Sequence, residues 1–219
     1  MARASRAVAD QHRTAIEQAS ARLFRQHGLH GVSVAQVMAD AGLTHGGFYG
    51  HFASKDELAA VGCALAFADS NARWERKITL AEGDRRAARR SLVTSYLSEV
   101  HRDAPGHGCP ASALVTDVAR EPAGKPVRQA YLDGIKQLLA TWQATAPAPV
   151  PVPVPVPPAD HADKAAQQTA LVELATLVGA ITLARATAGD AISDDILDAA
   201  RTWLLDAEAR AGVATDATA

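Results

Sequence analysis

Between Ala146 and Ala159 the chain reads APAPVPVPVPVPPA, with proline at nearly every second position. Each proline removes a backbone donor and fixes φ, which excludes this stretch from a helix interior and from a central strand. A stiff polyproline II spacer is expected, spanning about 40 Å at ~3.1 Å per residue. The segments on either side must therefore fold from their own local signals, and those signals are helical. Alanine is abundant, β-branched residues do not alternate, and apolar residues recur three and four apart. The expected fold class is all-α.

The 219 residues suffice for one large domain or two small ones, and 48% hydrophobic with 21% charged residues is ordinary for a soluble chain. Two cysteines, Cys63 and Cys109, are too few for a disulfide framework, which points to a reducing, cytoplasmic setting. No unbroken apolar run reaches the ~18 residues of a membrane span, so no membrane partner is expected. MARASRAVADQHRT carries early arginines without an apolar core, unlike a secretory signal. Net charge is −2 overall but unevenly spread: residues 1–55 hold six basic and three acidic side chains. A basic head on an acidic body is the asymmetry expected where only the head meets a polyanion.

The head also carries the densest punctuation. Ile16, Ala19, Leu23 and Phe24 place a helix over about 14–27, with Gly28 as its C-cap. Ser33 and Gln36 form a capping box opening a second short helix, which Gly42 ends. Thr44 is expected to cap a third helix over 45–50, and Ser54 with Glu57 opens a long one. The second and third helices make a helix-turn-helix. Helices this short do not hold alone, so LTHGGFYGHF needs anchors. Phe48 and Phe52, four apart, are expected to pack with Leu23, Phe24, Val37 and Leu43. Tyr49, His45 and His51 then point away from that core.

Further on, Leu58, Val61, Leu65 and Ala68 mark a buried stripe after Ser54. Helices are expected over 86–102 and from Pro126 to Trp142, with breaks at 81–85, 104–110 and 120–126. After the proline run come two long helices, the second capped by Ser193.

Residues 14–60, containing AIEQASARLFRQHGLHGVSVAQVMADAGLTHGGFYGHFASKDEL, resemble the DNA-binding domain of the tetracycline-repressor (TetR) family. The spacing of Phe24, Gly28, Ser33, Gly42, Phe48, Tyr49, Phe52 and Lys55 carries the resemblance. GCPASALVTDVARE resembles a segment of some members. The resemblance implies a helix-turn-helix head, residues 1–55, and a helical effector-binding and dimerisation body, residues 56–219. It implies a homodimeric repressor on a palindromic operator, released by a small molecule. Carried over residue by residue, Ser33, His51 and Lys55 resemble phosphate contacts, Thr44 and His45 open the recognition helix, and Tyr49 resembles a phosphate or thymine-methyl contact. Gly46 and Gly47 let the backbone approach the groove but read little themselves. The dimer interface is expected at Leu174, Leu177, Val178 and Ile181 of one long helix and Leu197, Ala200 and Leu204 of the other. A mostly apolar effector is expected among Leu97, Val100, Leu114, Val118, Tyr131, Ile135 and Trp142.

Two other readings arise from the residues. His101, His107 and Cys109 lie within nine positions, and such side chains ligate soft metals or, for Cys109 at a helix start, react with oxidants. No further ligand is evident nearby, so no metal or other cofactor is assigned. An enzyme lacks support: there is no phosphate-binding glycine loop and no nucleophile elbow. A helical small-molecule carrier without a DNA role differs from a regulator in one measurable way, since only DNA binding brings steep salt dependence.

Overall fold

A computed structural model describes residues 2–146 and 159–213. The proline run, and with it the expected polyproline II spacer, lies at 147–158, outside the described residues. The helices are α1 Ala2–His27, α2 Val34–Asp40, α3 Lys55–Leu80, α4 Arg85–Tyr96, α5 Glu99–Asp103, α6 Pro110–Ala113, α7 Val115–Arg120, α8 Pro126–Gln143, α9 Ala159–Ala186 and α10 Ala191–Val213. Two 3-10 turns, His45–Gly50 and Pro105–His107, complete the set, and no strand occurs among the described residues.

The chain forms two compact units, and neither is continuous in sequence. One contains residues 1–71 and 104–136; the other contains 72–103 and 137–219. Contacts thus do not divide at residue 55, where the functional boundary is expected. In the first unit, Ile16, Phe24, Leu29, Val32, Val37, Met38, Phe48, Phe52 and Leu58 are all buried. α1 begins twelve residues before the expected Thr14. It rests on the 3-10 turn Pro105–His107, where Arg25 Nη1 donates to Gly108 O at 3.2 Å. The buried stripe of α3 differs from expectation, for Ala68 is exposed and the inward positions are Leu58, Ala59, Cys63, Ala66 and Phe67. Gly134 of α8 explains the offset: a Cβ there would stand 2.2 Å from the Phe67 ring, so the aromatic side chain takes the space.

In the second unit, Trp74, Tyr96 and Trp142 form an aromatic core, with Trp74 5.8 Å from Tyr96 and 5.9 Å from Trp142 between ring centroids. The helix expected over 86–102 breaks at Leu97, whose ψ is 61. The break is held both from within the segment and from outside it. His101 Nδ1 lies 2.6 Å from Tyr96 O, and Arg185 of α9 donates to His101 O at 2.8 Å and to Arg102 O at 3.1 Å. Burial pushes His101 down to about 4, so it is neutral at physiological pH. Ser193 does not cap α10, which starts two residues earlier. It lies fully buried inside the helix and donates to Ala184 O at 2.8 Å, while Asp190 accepts from Ile192 N at 3.0 Å.

The long helices turn most of the expected dimer residues toward the chain's own core. Leu174, Leu177, Ile181, Leu197 and Leu204 are buried within the single chain, where α9 pairs with α10 and both meet α4. Val178 and Ala200 are half-buried. The apolar side chains left outside are Leu171, Val172, Leu183, Ile192 and Trp203. The segment Asp163–Ala186 is long and apolar enough to cross a membrane by length and composition, with a mean hydropathy of 1.5. Its buried face, with Leu174, Leu177 and Ile181, belongs to the helical core just described.

Candidate nucleic-acid interface

The site grows from two glycine turns and two caps. α1 ends at Gly28, φ +78, and α2 ends at Gly42, φ +73, both in the left-handed region that glycine enters without a Cβ penalty. Leu43 N donates to Met38 O at 2.8 Å, the six-to-one bond of a Schellman motif. The Ser33–Gln36 capping box closes as expected: Gln36 N donates to Ser33 Oγ at 3.2 Å, and Ser33 N to Gln36 Oε1 at 2.8 Å. At α3, Glu57 N donates to Ser54 Oγ at 3.1 Å, while the Glu57 carboxylate reaches past the cap to Ala53 N at 2.7 Å.

The third segment departs from expectation. It is a 3-10 turn rather than an α-helix, and Thr44 makes no capping bond through its side chain. Three glycines in six residues disfavour α-helix, and the tighter turn is a common form for short pieces. The Thr44 hydroxyl is therefore not spent on the helix end. Phe48 is 1% exposed and stacks on Phe52 at 5.8 Å, fixing the turn to the core. Tyr49, next in sequence, is 74% exposed, its ring edge-on to Phe48. His45, Gly46, Gly47 and Gly50 are exposed around it. A Cβ at Gly46 or Gly50 would meet no atom within 4 Å, so internal packing does not require glycine at either position.

The DNA-facing residues named from the resemblance fall on α2, the 3-10 turn and the start of α3. Ser33, Thr44 and His45 are exposed, whereas His51 and Lys55 are half-buried. Sequence spacing did not point to α1. Arg13 donates to His51 O at 2.5 Å, pairs with Glu17 at 2.9 Å and lies 4.4 Å above the Phe52 ring. His12 stands edge-on to His51 at 6.2 Å. These contacts brace His51, and only an α1 longer than expected brings His12 and Arg13 into play.

The expected effector residues do not form one group. Leu97 and Trp142 are buried and Val100 is 81% exposed, all three in the second unit, where Val100 rides on short α5 instead of a core stripe. In the first unit, Val118, Tyr131 and Ile135 line a groove of about 660 Å³ between α7 and α8, and Leu114 is buried. Tyr131 donates to Ala111 O at 2.6 Å, and burial raises its hydroxyl well above the usual phenol range. Among the described residues no three His, Cys, Asp or Glu side chains gather as metal ligands. His101 belongs to one unit, and His107 and Cys109 to the other. Cys109 is buried, and its carbonyl accepts from Ser112 Oγ at 3.0 Å.

Comparison with known proteins agrees with this geometry. Residues 16–61 match the family model described as bacterial regulatory proteins, tetR family. The fold is similar to that of Escherichia coli NemR in its reduced form, at 18% identity and a TM-score of 0.68, covering 88% of this chain and 94% of that one. A TetR-family transcriptional regulator from Cytophaga hutchinsonii gives 19% identity and 0.68 over 91% and 95% of the two chains. FadR of Bacillus subtilis, solved with stearoyl-CoA, gives 12% identity and 0.60 over 88% and 97%. No curated protein sequence matches the chain.

Proposed function

From the premise that the chain belongs to the tetR family of bacterial regulatory proteins, we propose that it is a cytoplasmic repressor that binds a palindromic operator as a homodimer and releases it on binding a small, mostly apolar effector. The observation that carries the DNA reading is the surface around Gly46. Backbone lies bare there without a packing reason, between His45 and Tyr49, on a turn pinned by two buried phenylalanines. Such a surface admits close approach of a duplex, with Tyr49, His51 and Lys55 at its margins and few side chains to read base edges.

The test is affinity for an enriched duplex across a salt series. Tyr49→Ala and Lys55→Ala are each expected to weaken binding by about 1–3 kcal/mol, and Lys55→Ala to reduce the salt slope by about one. Parental affinity and slope in both variants would show that DNA binds elsewhere or not at all.

The homodimer reading now rests on the outward faces of α9 and α10. Ile192, Ile196, Ala199 and Trp203 follow one helical stripe, with Val172, Gly179 and Leu183 on α9. Two such helices per copy form a four-helix bundle when doubled about a two-fold axis. Trp203→Glu and Leu183→Glu are expected to sediment as folded monomers where the parent sediments as a dimer. Leu177→Glu is expected to unfold the second unit instead, since Leu177 is wholly enclosed. Unchanged dimers in both surface variants would remove this interface. For the effector, the α7–α8 groove has an apolar floor of Val118, Ile135 and Leu132. An effector there must favour the DNA-incompetent state, since equal affinity for both states shifts nothing.

A further inference from the structure

Asp117 and Glu121 lie four apart on α7 and its C-terminal edge, and both reach the turn between α1 and α2. Leu29 N donates to Asp117 Oδ2 at 2.8 Å. His30 Nε2 lies 2.7 Å from Glu121 Oε1, and the Glu121 side chain is only 9% exposed. The turn is shaped to receive the first carboxylate: a Cβ at Gly28 would come within 2.5 Å of Asp117 Oδ2. Nearby, Lys125 of the α7–α8 loop bonds Asp56 in the first turn of α3 at 2.6 Å. The end of α7 is itself fixed, because Arg128 donates to Val118 O at 3.1 Å and to Glu121 O at 2.7 Å. Val115, Val118 and Ala119 occupy a different side of α7 from Asp117 and line the groove between α7 and α8.

We infer that Asp117 and Glu121 are positioning residues for DNA binding. Through them α7 holds the turn that carries α2. This rests on the regulator reading above. An exposed acidic pair would leave Leu29 N to water. Here a carboxylate takes the amide of one turn residue while a second takes the adjacent imidazole, so displacement of α7 must break or drag both.

The test uses the full chain and a duplex enriched on it from a random-sequence pool. Amide exchange needs no DNA: Leu29 is expected to exchange at least tenfold faster in Asp117→Ala, with Phe48 and Leu92 unchanged. By anisotropy, Asp117→Ala and Glu121→Ala are expected to weaken the enriched duplex about tenfold yet stay within twofold on an unrelated duplex. Phosphate contacts survive in these variants, and only the placement of the heads is lost. Asp117→Asn keeps an acceptor for Leu29 N and is expected within threefold of the parent on both. Unchanged affinity for the enriched duplex in Asp117→Ala, or equal losses on the two duplexes, overturns the positioning role. If the parent enriches no sequence, the regulator reading falls, and unchanged Leu29 exchange in Asp117→Ala separately removes the carboxylate's hold on the turn.

Discussion

Arg89→Leu is expected to destabilise the second unit by about 3–5 kcal/mol, because it strands a carboxylate inside the protein. Arg89 and Glu173 form an ion pair with side chains 5% and 8% exposed. Glu173 also accepts from Trp142 Nε1 at 3.1 Å, and the guanidinium lies 4.1 Å above the Trp142 ring. The three groups form a closed triangle in which each satisfies the next. Removing the cation leaves the mostly buried carboxylate with one neutral donor, the Trp142 indole N–H. At ~2–4 °C per kcal/mol, thermal unfolding followed by circular dichroism should fall by roughly 6–20 °C. The double variant Arg89→Leu, Glu173→Leu should recover most of this. It should remain about 1–2 kcal/mol below the parent, because the indole N–H loses its acceptor. Equal melting of the single and double variants would mean that lost packing over Trp142, rather than the stranded charge, is the source of the cost.

Phe48→Ala should remove DNA binding without touching the second unit. The ring is 1% exposed and stacked on Phe52, and truncating a buried phenylalanine costs about 3–5 kcal/mol. The 3-10 turn has six residues, three of them glycine, and little else to hold it. Loss of that anchor should weaken the enriched duplex at least a hundredfold. The chain's three tryptophans, at 74, 142 and 203, all belong to the second unit, so indole fluorescence serves as the internal control and should not change. Binding within threefold of the parent would show that the turn is held by contacts other than Phe48.

What was legible in the sequence was local. Capping at Ser33 and Ser54 and the glycine stops at 28 and 42 depend on residues within four positions, and each forms as the spacing implies. The break at Leu97 was not legible, because it is fixed by Arg185 and the half-buried His101 rather than by proline or glycine. Thr44 departs from the expected cap because capping assumes an α-helix where the glycines produce a 3-10 turn. For α9 and α10 the helices were evident but not their inner faces. Both sides are apolar, and periodicity does not say which side meets the chain's own core and which is left outside. Asp117 and Glu121 look like any solvated pair until the fold brings residues 28–30 beside them. The DNA-facing roles came from the family resemblance alone; no capping or packing rule distinguishes an exposed histidine near a duplex from one in water.

The discontinuity of the first unit bears on how the protein is made. The head emerges from the ribosome first, yet the segment that closes its unit, residues 104–136, is translated after another 32 residues assigned to the second unit. At ~5–20 residues per second the α1–α2 turn waits several seconds for Asp117 and Glu121. During that interval Leu29 N lacks its acceptor, and the α1 surface that rests on Gly106 and Gly108 is open. A chain cut short after the helix-turn-helix therefore lacks the segment that completes its unit and leaves the α1–α2 turn without its two carboxylate partners.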